Sequence, residues 1–284
     1  MAQSSTVSYA DILRDLSGFD EWLSAMGVPI RDSDRAHNAI RILEKAQYAF
    51  TNGLEDSEAG VSKTEYLFGL TEAVELRDVY RTFRNNTSQE LRKRLIRALS
   101  GPALPDAETE KNRDGRNIMF ELALGAEWAE KGAEIELCEP DLGAKLQNRN
   151  YLVACKRPNT EDGVTGAVKD AGRQLRSALT SAPDSCLGLI VISFSRILNR
   201  GTKFFSGSYD DLSELLNGML TRNRQAWNDF SFHPNTIAII FHMHTPANWG
   251  QGLFRMAAMR VDPFNSTAQK DINDLKNDLE NLYS

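Results

Sequence analysis

From residue 8 to about residue 100 the apolar positions recur every three or four residues, the spacing of one helix face. Ile12, Leu13, Leu16, Phe19, Trp22 and Leu23 follow Ser8 in this way, and Gly27 to Pro29 ends the run. Ala36, Ile40, Leu43, Ala46 and Phe50 form a second stripe that Asn52-Gly53 stops. Ser62-x-x-Glu65 is a capping-box pattern ahead of a third helix burying Leu67, Leu70, Val74, Val79 and Phe83, and Thr87-x-x-Glu90 opens a short, basic fourth. Residues 1 to about 100 are therefore expected to be helical.

The pattern changes after the Gly- and Pro-punctuated stretch from Ser100 to Asp106 and the polar run behind it. This sets an expected division into a helical domain, residues 1–108, and a second domain, residues 109–284. Helix-patterned residues 116–131 lead to a strand at 133–139, a turn from Gly143 to Asn150 and a strand at 151–156. A helix over 165–180, an apolar run from Leu187 to Phe194, a helix from Tyr209 to Trp227, β-branched residues from Thr236 to His242, a short strand from Met256 to Val261 and a helix opened by Ser266-x-x-Gln269 complete the chain. Strands alternating with helices imply an α/β sheet covered on both faces.

Composition narrows the function classes. With 41% hydrophobic and 25% charged residues the chain is ordinary for a globular protein. It has neither the roughly 18 consecutive apolar residues of a membrane span nor a basic-then-apolar leader. A cytoplasmic location and no membrane partner are expected. Three widely spaced cysteines, Cys138, Cys155 and Cys186, fit neither a disulfide framework nor a CxxC zinc site. A net charge of −6 argues against non-specific coating of nucleic acid. Yet Arg77, Arg81, Arg84, Arg92, Lys93, Arg94 and Arg97 are interrupted only by Asp78 and Glu90, which permits a local basic surface on α-helical residues 88–100.

The residues that suggest chemistry lie between Glu121 and Gln174. Glu121 sits on a helix, Pro140-Asp141 ends a strand candidate, Lys156 ends the next strand, and Gln174 follows on a helix with Lys169, Arg173 and Arg176. Phosphodiester hydrolysis needs an activated water and an offset to phosphate charge, and magnesium held by carboxylates and carbonyls meets both needs. This order resembles the PD-(D/E)xK, or restriction-endonuclease-like, nuclease superfamily. The resemblance implies a mixed sheet flanked by helices and metal-dependent hydrolysis of DNA with Mg or Mn as cofactor. It implies Asp141, Glu121 and the Cys155 backbone carbonyl as metal ligands, Lys156 as the catalytic lysine and Gln174 as the residue placing water or phosphate. Lys169, Arg173 and Arg176 are expected to contact nucleic acid.

One position departs from the pattern. Where it has Glu or Asp two residues before the lysine, this chain has Ala154. The missing acid is accounted for by an introduced substitution, by relocation of the acid to Glu161, or by a nuclease fold kept for binding. The retained Lys156 and Gln174 favour the first, so the chain is expected to be a catalytically impaired nuclease. The other outcome is a non-catalytic subunit that binds nucleic acid or scaffolds a complex, with a protein partner or a homo-oligomer completing it. A prokaryotic defence role is expected by analogy only.

Elsewhere the ordinary explanation is preferred. His242 and His244 lie two apart on a strand with no acidic or Cys residue close in sequence, and are expected to be hydrogen-bonded strand-end residues. Gly201 to Gly207 with Lys203 lacks the spacing of a phosphate loop. Trp227, Trp249 and Phe254 are expected to pack rather than stack on bases.

Overall fold

The structure, a computed structural model, describes residues 2–31, 34–55, 57–104, 107–108, 114–198, 205–228, 230–248, 253–264 and 267–283, and gives no side-chain detail for 2–7, 226, 246–248 and 253–255. The expected loop at Gly201 to Lys203, Trp249, the side chain of Phe254 and most of the stretch around the 108/109 boundary lie outside the described residues.

The N-terminal part is helical from residue 9. Helices α1 (Tyr9–Asp15), α2 (Phe19–Ala25), α3 (Arg35–Asn52), α4 (Lys63–Phe83) and α5 (Gln89–Ala98) share one apolar core. Ser8 caps α1 by accepting from the Asp11 N–H, and Ser62 and Glu65 form both halves of a capping box on α4. Gly53 closes α3 in the left-handed conformation that its lack of a Cβ permits. The single helix expected after Ser8 is broken between Asp15 and Phe19. A Cβ on Gly18 would lie 2.6 Å from the Tyr80 hydroxyl, so the break lets α4 approach closely. Ser88, not Thr87, caps α5.

Two expectations are corrected outright. Residues Ala2–Val7 are not helical but form strand β1, antiparallel to a late strand of the sheet. The sequence Gln-Ser-Ser-Thr there carries no apolar alternation to mark it. Gly143 to Asn150 is not one long turn. Leu142–Leu146 is strand β3, whose Leu142, Ala144 and Leu146 alternate inward, and the turn shrinks to Gln147 and Asn148, with Gln147 at φ 52°.

The sheet has seven strands in the order β1-β7-β6-β5-β4-β3-β2. Strands β2 (Glu134–Leu137), β3 and β4 (Arg149–Lys156) form an antiparallel meander. Strands β4, β5 (Leu187–Ser193) and β6 (Thr236–Asn248) run parallel, and β7 (Leu253–Pro263) returns antiparallel. The chain is thus an α/β protein with a mixed sheet flanked by helices and an N-terminal helical part. Helices α6 (Asp114–Glu130) and α11 (Gln269–Tyr283) cover one sheet face. Helix α7 (Gly163–Thr180) covers the other with α9 (Tyr209–Asn223) and α10 (Gln225–Asn228), and Trp227 is buried there. A short helix, α8 (Ser195–Leu198), follows β5. Among the described residues no helix is long and apolar enough to cross a membrane.

Helix α6 is buried over most of its circumference. Ile118, Met119 and Leu122 pack with the N-terminal helices, while Phe120, Leu124 and Trp128 pack on the sheet. A helix apolar on nearly every side belongs between two layers, and α6 is where the helical part meets the sheet.

Candidate functional site

The N-terminal end of β3 and the C-terminal end of β4 open beside α5, α6 and α7. The cavity there, of about 710 Å³, is lined by Glu121, Asp141, Cys155, Lys156 and Gln174, with Lys93, Arg94 and Arg97 on its α5 wall. The expected residues Glu121, Asp141, Lys156 and Gln174 therefore meet at one place although they span four elements.

Strand geometry explains Asp141. Pairing of β3 with β4 begins at Leu142 opposite Val153, so beyond Val153 the β4 backbone is paired with β5 on one side and has no strand partner on its β3 side. The Asp141 carboxylate takes that place, with Oδ2 accepting the Cys155 N–H at 2.6 Å. Lys156 alternates to the same face as Ala154, and its Nζ lies 3.4 Å from Asp141 Oδ2 and donates to the Cys155 carbonyl at 2.9 Å. The ammonium thus bridges two of the three oxygens expected to hold a metal.

Glu121 comes from α6. Its Oε2 accepts from Arg94 Nη1 at 3.0 Å, and Arg94 also reaches Glu90 at 2.9 Å and the Cys138 carbonyl at 2.9 Å. Arg94 was not singled out in the sequence as a site residue. The signal was its place at the i+3 position between Leu91 and Leu95 on the buried stripe of α5, where a cation needs a buried partner.

Burial pushes the Glu121 carboxyl up to about 8, the nearby Asp141 charge adds to this, and Arg94 opposes it. Burial likewise raises Asp141, against the pull of Lys156 and the Cys155 N–H. An acid raised on folding binds more protons in the native than in the unfolded state. Stability is expected to fall as pH rises from about 4.5, the ordinary value, towards about 8, and to level off above that. Urea midpoints followed across this range check it. Glu121→Gln should flatten the decline, and an equally steep decline in that variant would assign it elsewhere.

Ala154 is fully buried under α7 with Val164, Val168 and Ala171 and does not line the cavity. Extending the β3–β4 register sets it opposite Asp141 and on the same face. The alternative that relocates the acid to Glu161 is not supported by its position. Glu161 accepts from Arg222 Nε at 2.8 Å and Asn223 Nδ2 at 3.0 Å, outside the cavity, because α7 starts after it and α9 draws it away.

The three cationic residues expected to touch nucleic acid are not on the cavity wall. Lys169 is half-buried on α7. Arg173 pairs with Asp170 one turn back, and Arg176 donates to the Ser231 carbonyl. Helical rotation turns Gln174 to the cavity and these neighbours aside. The earlier basic run is divided: Arg77 and Arg81 engage Asp15, while Arg92 donates to the Gly27 carbonyl. No protein-family model, curated protein or solved structure matches this chain.

Proposed function

We propose that this chain is a metal-dependent nuclease of the PD-(D/E)xK type that hydrolyses DNA phosphodiester bonds, impaired by Ala154. The observation that carries the reading is the convergence of Glu121, Asp141, Lys156 and Gln174 on one cavity with a basic wall. The donors fit magnesium or manganese. Two buried carboxylates, both pushed up by burial, and one backbone carbonyl make an all-oxygen set in need of positive charge.

Asp141, Glu121 and the Cys155 carbonyl would hold the ion. Held there, magnesium would supply a water of lowered pKa and an offset to the phosphate charge. Asp141 acts from a fixed position because the Cys155 N–H holds its carboxylate. Lys156 Nζ sits between Asp141 and the Cys155 carbonyl, where it can donate to a phosphate oxygen entering the cavity. Gln174 places an amide on the facing wall, suited to orienting water or a phosphate oxygen. Lys93 and Arg97 draw the anionic backbone inward.

Restoring the acid tests the reading. Ala154→Glu starts a carboxylate on the face shared with Asp141 and Lys156, and is expected to raise magnesium-dependent plasmid cleavage by a factor of about 100 or more, the scale of one preorganised electrostatic contact. If the variant folds, binds DNA and cuts no better than the parent, the enzyme reading fails. One observation favours the alternative of a binding or scaffolding subunit: Lys156 and Arg94 each pair with one of the two carboxylates and offset part of their charge. That alternative predicts salt-sensitive DNA binding that survives Asp141→Asn. Action in prokaryotic defence is part of the proposal by analogy, and an oligomer or partner subunit would show on gel filtration.

A further inference from the structure

A second set of ligand-forming side chains lies away from that cavity. His242 and His244 are two apart on β6, so both rings leave the same sheet face, the one that α6 crosses. Glu127 of α6 meets them there. Its Oε2 is 3.3 Å from Nε2 of His242 and 3.3 Å from Nε2 of His244, and the three ligand atoms all lie within 4.8 Å of one another. Glu127 and His242 are buried, and the His244 side chain is 12% exposed.

The geometry points to a transition-metal site formed by Glu127, His242 and His244, taking Zn²⁺ or a similar borderline divalent ion, separate from the Asp141 cavity and independent of the nuclease reading. Zinc bonds of about 2.0–2.1 Å arranged tetrahedrally set neighbouring ligand atoms roughly 3.3 Å apart. Both separations have this value, and they exceed the roughly 2.7–2.9 Å of an ionised N–H···O hydrogen bond. Both nitrogens also converge on one carboxylate oxygen, so one ion could be reached by all three ligand atoms.

The surroundings hold the ligands in this arrangement. The Tyr283 hydroxyl donates to the other carboxylate oxygen of Glu127 at 3.0 Å and accepts from Trp128 Nε1 at 3.2 Å. Phe120 packs against the His242 ring with centroids 5.6 Å apart, and the His244 backbone N–H donates to Ser195 Oγ at 2.9 Å. Such supporting contacts orient metal ligands. Two imidazoles and a carboxylate select zinc or its neighbours over magnesium, unlike the oxygen-only Asp141 set. Three protein ligands leave a coordination position for water, and the ion would tie α6 to β6.

The test uses the full chain, stripped by chelator and titrated with Zn²⁺ by calorimetry and with Co²⁺ by visible absorption. One equivalent of zinc and the d–d bands of a four-coordinate cobalt centre are expected, unchanged in Asp141→Asn. His244→Gln should abolish the bands and weaken zinc by more than the roughly 10–100-fold that a lost supporting contact costs, and Tyr283→Phe should fall within that range. Circular dichroism of the stripped variant checks folding, and Glu127→Gln carries the same expectation if His244→Gln does not fold. Absence of binding in the parent, equal affinity in His244→Gln and Glu127→Gln, or loss of binding in Asp141→Asn would each overturn the assignment.

Discussion

Replacing Arg116 by alanine is expected to lower the unfolding free energy by about 3–5 kcal/mol, the scale for a buried ion pair broken on one side. Arg116 is 2% exposed in the first turn of α6. It donates to Glu72 and Glu108 and to the carbonyls of Pro102 at 3.0 Å and Ala103 at 2.8 Å. Glu72 keeps a second partner in Arg35 Nε at 2.6 Å and Glu108 one in Arg196 Nη1 at 2.5 Å, so the variant leaves two buried carboxylates half-neutralised rather than bare. That places the expected loss within the range instead of beyond it. Denaturant unfolding measures it. Arg116→Lys should recover only part, since one ammonium cannot serve two carboxylates and two carbonyls in a planar fork. A loss below about 1 kcal/mol for Arg116→Ala would put the network in the class of surface pairs. The network backs the candidate site, because Arg157, beside Lys156, pairs with Glu75 at 3.4 Å and lies within 3.5 Å of the Arg116 carbonyl.

Asp141→Asn is expected to have the largest effect on activity, a loss of about 10²–10³-fold in magnesium-dependent cleavage measured against an Ala154→Glu parent. The asparagine keeps an oxygen to accept the Cys155 N–H, so β3 and β4 stay joined. It removes a buried charge whose carboxyl is raised on folding, so thermal stability near neutral pH should hold or rise. Lost cleavage with an undiminished melting temperature identifies Asp141 as part of the reacting centre. Lost cleavage with a collapse of the fold would reduce it to a strand cap.

The sequence was most legible where short-range chemistry decides. Ser62 and Glu65 announce α4, Gly53 ends α3, and the inward residues of β5 form a continuous apolar run because both faces of that strand are covered. The grouping of Asp141, Lys156 and Gln174 follows from a hairpin and one crossover helix, all within a short span of chain. What was missed depends on distant partners. Arg94 reads as one charge in a basic run until α6 supplies Glu121, and His242 and His244 read as strand-end residues until the same helix supplies Glu127. Strand β1 was illegible because Gln3 to Thr6 carry no apolar alternation and its partner β7 lies at the far end of the chain.

The pairing of β1 also sets an order in time. Ala2 lies opposite Ala258 and Val7 opposite Leu253, so this strand is synthesised ahead of the rest of the sheet yet waits for β7 before it has a neighbour. The walls of the Asp141 cavity, from α5 to α7, lie between these ends and join through far shorter separations. Contacts of short sequence separation form fastest. The cavity is therefore expected to assemble early and the β1–β7 edge to close late, an order that pulsed hydrogen exchange during refolding would read.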